Sequence, residues 1–160
     1  RLLAVHKMEC VILPEDLPVE EGMSIFVLTA DSLSRGCIGN QIFGKPRNID
    51  HAKEMLRLER EQPIEIATGC CLEVKKFVAG EWVAEESKSW TTNAIIEFCV
   101  DEQSLESYLK NTPEALVSCG AGVIEGYGQR FLKSIDGSHS AVSGLPIFEL
   151  CQALTKFGFR

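Results

Sequence analysis

Apolar positions in this chain fall into unbroken runs and helical spacings. The segment Ser24-Ile-Phe-Val-Leu-Thr-Ala30 is nearly continuous in apolar residues, as a strand covered on both faces should be. Ile64 to Val74 predicts a second strand with a glycine interruption at Gly69, and Ser89 to Val100 a third. Between them, Lys75 to Val83 reads as a hairpin turning at Ala79-Gly80, and Ile42-Phe43 as a short extra strand. Phe131 to Ile135 predicts the last strand.

Helical spacing alternates with these runs. Leu3 to Ile12 predicts a first helix, ended by Pro14 and Pro18. Asn48 or Asp50 can cap a helix that puts Ile49, Ala52, Met55 and Leu56 on one face. Asp101 is expected to cap a helix carrying Leu105, Tyr108 and Leu109, and a glycine-rich loop follows from Gly120 to Gly128. Pro146 suits the first turn of a closing helix with Ile147, Leu150, Cys151 and Leu154 inward and Gly158 at its end. Strands interspersed with helices predict an α/β protein with a mixed β-sheet flanked by helices.

Composition narrows the function classes. With 160 residues, 45% hydrophobic and 24% charged, the chain can bury one sizeable core, so a single domain is expected. The net charge of −7 argues against nucleic acid as a partner, because a phosphate backbone needs a basic surface. No apolar run reaches the roughly 18 residues of a membrane span, and Arg1-Leu-Leu-Ala4 lacks a signal-peptide pattern. A cytoplasmic protein with no membrane partner is expected. Seven cysteines at 10, 37, 70, 71, 99, 119 and 151 show neither zinc spacing nor a disulfide framework, and most are expected as buried thiols.

Two short blocks carry the candidate chemistry. Asp31 directly follows the first apolar strand, where an open α/β sheet exposes its ligand crevice. It could hold a metal ion or orient a water, or it could be a turn residue accepting backbone N–H groups. Lys45, in Gly44-Lys45-Pro46, could neutralise a phosphate or simply be solvated. The preceding Gly39-to-Lys45 spacing is nearly that of a P-loop, but Pro46 offers neither hydroxyl nor N–H, so a Walker loop is rejected. Glu125 lies in the glycine-rich loop, near a ligand or in plain turn geometry. His6, His51 and His139 share no ligand spacing and are given no role. Trp82 and Trp90 read as packing residues.

Taken together and in order, Ala30-Asp31-Ser32, Gly44-Lys45-Pro46 with Ala52 to Leu56, Ala67-Thr68-Gly69, Gly120-Ala121 through Glu125-Gly126, and Asp136-Gly137 through Gly144-Leu145-Pro146 resemble the Maf (septum formation protein) family. The resemblance covers nearly the whole chain. It implies an elongated mixed sheet like that of inosine triphosphate pyrophosphatases, often in a homodimer. It also implies hydrolysis of a nucleoside triphosphate, normal or modified, to monophosphate and pyrophosphate with Mg²⁺ or Mn²⁺.

By the same resemblance, Asp31 is the essential acid, ligating the metal or orienting the attacking water. Lys45 stabilises phosphate charge, Lys7 faces the phosphates, and Ser32 and Glu125 contact substrate. Ala30-Asp31 leans toward the branch acting on dTTP and UTP, and Glu125-Gly126 toward the one acting on 7-methyl-GTP. The family's opening strand, its Ser-Ser-x-x-Arg-Arg turn and a later metal-binding Glu have no counterpart in these residues, and Ala141 stands where Asn is usual. A Maf-like domain over residues 1–160 without its N-terminal strand and helix is therefore expected. The competing expectation is a catalytically inactive nucleotide-binding or cell-division-associated interaction protein.

Overall fold

The computed structural model describes residues 1–159. Among them, strands β1 (Ser24–Gly36), β2 (Ile42–Phe43), β3 (Ile64–Val78), β4 (Glu81–Phe98) and β5 (Leu132–Gly137) form a sheet in the order β2-β1-β3-β4-β5. The helices are α1 (Leu2–Glu9), α2 (Ile49–Arg60), α3 (Leu105–Asn111), α4 (His139–Val142) and α5 (Ile147–Lys156), with short 3₁₀ turns between Pro113 and Phe131. None of the helices is long and apolar enough to cross a membrane.

Neighbouring strands run antiparallel. Ser34 pairs with Phe43 and Arg35 with Ile42 at one edge, and Ala94 with Gly137 through Phe98 with Leu132 at the other. Gly22 N–H donates to Phe77 O and Phe77 N–H to Met23 O, while Cys37 N–H donates to Pro63 O, so β1 and β3 run in opposite directions. The β3–β4 connection is the expected two-residue turn: Ala79 and Gly80 have φ of 53° and 89°, the pair of positive values that matches strand twist in a tight hairpin.

One boundary differs with consequences for function. The sequence reading stops the first strand near Ala30, but β1 continues to Gly36. Its second half alternates instead of running apolar: Ser34 and Gly36 are buried and Arg35 is exposed. Small polar residues there carry the ladder to β2 instead of forming a turn. Asp31 therefore sits in mid-strand, and an antiparallel sheet has no common carboxyl edge to form the expected crevice.

By contact density the chain divides into two compact units, and β1, β3 and β4 contribute residues to both. The first comprises Arg1–Asp31, Gly69–Thr91 and the stretch from Ile147 onward. Its small core is Ala4 and Met8 of α1 against Cys71 of β3, flanked by Val5, Val11 and Val27. In α5 the fully buried position is Ala153, whereas Ile147 and Cys151, expected inward, are exposed. The helix packs through a small side chain, which turns its inward face toward Leu150, Ala153 and Leu154.

The second unit comprises Ser32–Thr68 and Thr92–Pro146 and holds the larger core. Ala52, Met55 and Leu56 of α2 pack there with Phe43, Ile64, Phe98, Tyr108 and Phe131. Asn48 caps α2 as expected, its Oδ1 accepting the His51 N–H at 2.9 Å. Ile49, at the first helical position, stays 52% exposed. The rings of Phe98, Tyr108 and Phe131 meet edge to face with centroids 5.5–6.4 Å apart, a geometry aromatic quadrupoles favour.

The Tyr108 hydroxyl donates to Ala121 O at 2.8 Å and accepts from Val123 N–H at 2.9 Å. Tyr108→Phe strands both backbone groups, and urea denaturation is expected to show a loss of about 1–3 kcal/mol. The cysteines are less buried than expected. Cys70 and Cys71 are buried, Cys99 and Cys119 are intermediate, and Cys10, Cys37 and Cys151 are exposed; all seven are free thiols. Apolar sequence neighbours do not bury Cys10 and Cys37, which lie just past the ends of α1 and β1.

Candidate functional site

In the first unit the structure joins two of the expected residues. Positions i and i+3 of a helix face alternate positions of a strand when the two pack side by side. Here Ala4 and Lys7 of α1 meet Thr29 and Asp31 of β1. Thr29 Oγ1 donates to Ala4 O at 2.7 Å. The Lys7 ammonium donates to Asp31 Oδ1 at 2.5 Å and to Ala30 O at 3.0 Å. The Asp31 side chain is 29% exposed, and Oδ2 makes no hydrogen bond within the described residues. An oriented carboxylate with one open oxygen can accept a proton from water.

No group of three His, Cys, Asp or Glu that could hold a metal exists among the described residues. The donors do not make a resident metal site. They fit a cation that a phosphate-bearing ligand brings with it, since Mg²⁺ is commonly held by one or two carboxylates plus substrate phosphates.

The second unit holds Ser32, Lys45 and Glu125. Thr68 Oγ1 donates to Ala141 O at 2.7 Å, so its only proton is committed. Ser32 Oγ, 2.6 Å from Thr68 Oγ1, must therefore be the donor of that bond,. The Ser32 proton is thus spent inside the protein, and a ligand at this hydroxyl would meet only its lone pairs.

Lys45 is exposed at the mouth of a cavity of about 390 Å³ whose walls include Gln41, Phe43, Arg47, His51 and Glu54. The preceding Gly44 carbonyl accepts the Gly120 N–H at 3.0 Å, and Cys119 Sγ donates to Ser32 O at 3.3 Å. These two bonds pin the glycine-rich segment to the Gly-Lys-Pro turn and to β1. Gly120 and Ala121 have φ of 73° and 64°, a left-handed pair that costs a non-glycine residue roughly 1–2 kcal/mol. Glu125 is exposed just before a 3₁₀ turn, and its carbonyl accepts the Gly128 N–H at 2.9 Å.

Sequence reasoning missed Glu59. It is 2% exposed, Oε2 has no hydrogen-bond partner, and a Cβ added at Gly120 would overlap Oε1. Burial pushes its carboxyl well above the ordinary glutamate range. The signal was present: Glu59 continues the stripe of Ala52, Met55 and Leu56 at helical spacing. Its charged neighbours in Arg57-Leu-Glu-Arg-Glu61 masked it.

The chain matches the Maf-like protein family over residues 1–157 and belongs to it. It is 34% identical over 119 residues to a dTTP/UTP pyrophosphatase of Lachnoclostridium phytofermentans, a match covering 74% of this chain and 58% of the relative. To a dTTP/UTP pyrophosphatase of Nitrosospira multiformis it is 34% identical over 143 residues, covering 88% and 63%. A nucleoside triphosphate pyrophosphatase of Rickettsia rickettsii is 27% identical over 141 residues, covering 86% and 60%. The matches span about three fifths of the length of these curated relatives.

Proposed function

We propose that this protein hydrolyses a nucleoside triphosphate to the monophosphate and pyrophosphate. The observation that carries the reading is the Lys7–Asp31 pair, a carboxylate fixed by an ammonium in a chain of this family. Asp31 takes a proton from water as the water oxygen bonds to the α-phosphorus, and the bond from that phosphorus to the bridging oxygen breaks. Pyrophosphate leaves with the bonding electrons. The family resemblance gives Lys45 the role of offsetting charge on the phosphates. The names of the relatives favour dTTP and UTP as substrates, while Glu125 keeps 7-methyl-GTP in the trial set.

The same reading has Mg²⁺ or Mn²⁺ arriving with the triphosphate, for which the open Asp31 oxygen would be the carboxylate ligand from this chain in place of its role as proton acceptor. It carries a homodimer, as the family resemblance implies, and a cytoplasmic setting, which seven free thiols support,. The alternative is nucleotide binding without turnover.

The test is pyrophosphate release from dTTP, UTP and 7-methyl-GTP with Mg²⁺ or Mn²⁺. Turnover of at least one is expected. A folded protein that turns over none of them leaves the binding reading. Lys45→Ala is expected to lower kcat/KM by roughly 10²–10³ without altering which base is preferred, because removing one oriented charge at a transition state costs that much. Steady-state kinetics on each nucleotide check both parts.

A further inference from the structure

We propose that the cavity beside Lys45 binds a pyrophosphate group through Arg47 and His51. The inference rests on the pyrophosphatase reading for the source of that group, but its residues come from the cavity itself. In a chain of net charge −7, this cavity collects Lys45, Arg47 and His51, with Glu54 as the one acid among its lining residues.

The positive charge there is unspent. Lys7, Lys53, Arg57 and Lys133 each pair with a carboxylate. Among the described residues, neither Lys45 nor Arg47 does. Two cations without an ion-pair partner, against the single acid Glu54, leave the recess net positive and raise the local concentration of anions,.

The donor chemistry fits phosphate. His51 Nδ1 accepts the Arg47 N–H at 3.1 Å, which places the proton of the neutral ring on Nε2 and makes that nitrogen a donor. The cavity then offers an ammonium, a guanidinium fork, an imidazole N–H and the Gln41 amide. A guanidinium suits two-point contact with phosphate oxygens, and an ammonium acts as a point charge. Separated by Pro46, these two cations match a ligand whose negative charge is spread over two phosphorus centres. The volume of about 390 Å³ lies within the roughly 300–1,000 Å³ of small-molecule sites. Lys45 belongs to the reading above; Arg47 and His51 are new here.

Titration calorimetry with inorganic pyrophosphate tests the proposal. The protein is expected to bind pyrophosphate more tightly than orthophosphate. Arg47→Ala is expected to weaken pyrophosphate binding about tenfold or more, and His51→Ala by less. Arg47 is exposed, so its replacement should leave the thermal melt in place, and Arg47→Lys should restore part of the affinity. Equal binding by the protein and its Arg47→Ala variant, or no binding by either, overturns the proposal.

Kinetics distinguish the source of the group. A raised KM with kcat retained in Arg47→Ala supports occupancy by the phosphates of the substrate. An unchanged KM with weaker product inhibition supports occupancy by released pyrophosphate. Turnover without Arg47-dependent pyrophosphate binding overturns this inference alone. Arg47-dependent binding without turnover supports it and overturns the pyrophosphatase reading alone.

Discussion

Replacing Asp31 by asparagine is expected to cut pyrophosphate release by about 10²–10⁴-fold, the usual worth of a positioned general base. The amide keeps the shape of the carboxylate and can still accept a hydrogen bond from Lys7 at the oxygen now held at 2.5 Å. It cannot take a proton from water. The cost to folding should be small, because Lys7 is 52% exposed and solvated ion pairs contribute about 0.2–1 kcal/mol. Activity and urea denaturation measured on the same preparation separate the two effects. An asparagine variant with undiminished turnover removes Asp31 from the mechanism, whatever its stability. Lys7→Met offers a second reading of the same contact: it frees the carboxylate from its anchor, so kcat should fall while Asp31 itself is untouched.

Local chemistry made much of the fold legible. Asn48 has the side chain that caps a helix, Ala79-Gly80 is a pair that tolerates positive φ, and each does what its chemistry predicts. What was not legible depends on partners distant in sequence. Ser32-Leu-Ser-Arg-Gly36 looks like the end of a strand until β2 supplies the pairing that extends it. The Ser32 hydroxyl looks available until Thr68 and Ala141 are found to fix its proton.

The candidate site divides in the same way. Lys7 and Asp31 were each legible as single residues through the family blocks, and the fold adds that they touch. Arg47 and His51 were not legible, because lone basic residues near a helix start carry no signal until a cavity gathers them. His51 has no metal-ligand spacing; in the proposed site it is a donor whose tautomer is set by the Arg47 backbone.

Glu59→Gln is expected to flatten the pH dependence of stability that the buried carboxyl imposes. In the folded protein the group is held neutral, with its pKa raised by desolvation. In the unfolded chain it ionises near the ordinary glutamate value of about 4.3. Between that pH and the folded value, the folded state binds more protons than the unfolded state. Stability attributable to Glu59 is therefore fully present below about pH 4.3 and declines as pH rises, by up to about 1.4 kcal/mol per unit.

Glutamine has the same shape and no such proton, so the stability of the variant minus that of the native protein should grow from pH 5 to pH 8. Taking the difference isolates Glu59 from Glu97, Asp101 and Glu102, whose carboxyls are held below their ordinary values by hydrogen bonds and which weaken the fold on acidification instead. Tyr108, Cys70 and Cys71, further buried ionisable groups, are pushed up by their own burial and stay neutral across this range. A difference that does not change with pH would mean that Glu59 ionises as readily in the folded protein as outside it. Glu59→Leu goes one step further, since it also removes the unpartnered Oε2. Exchanging an orphaned buried polar group for an apolar one of similar shape is neutral to stabilising, so the leucine variant should equal or exceed the glutamine variant at every pH.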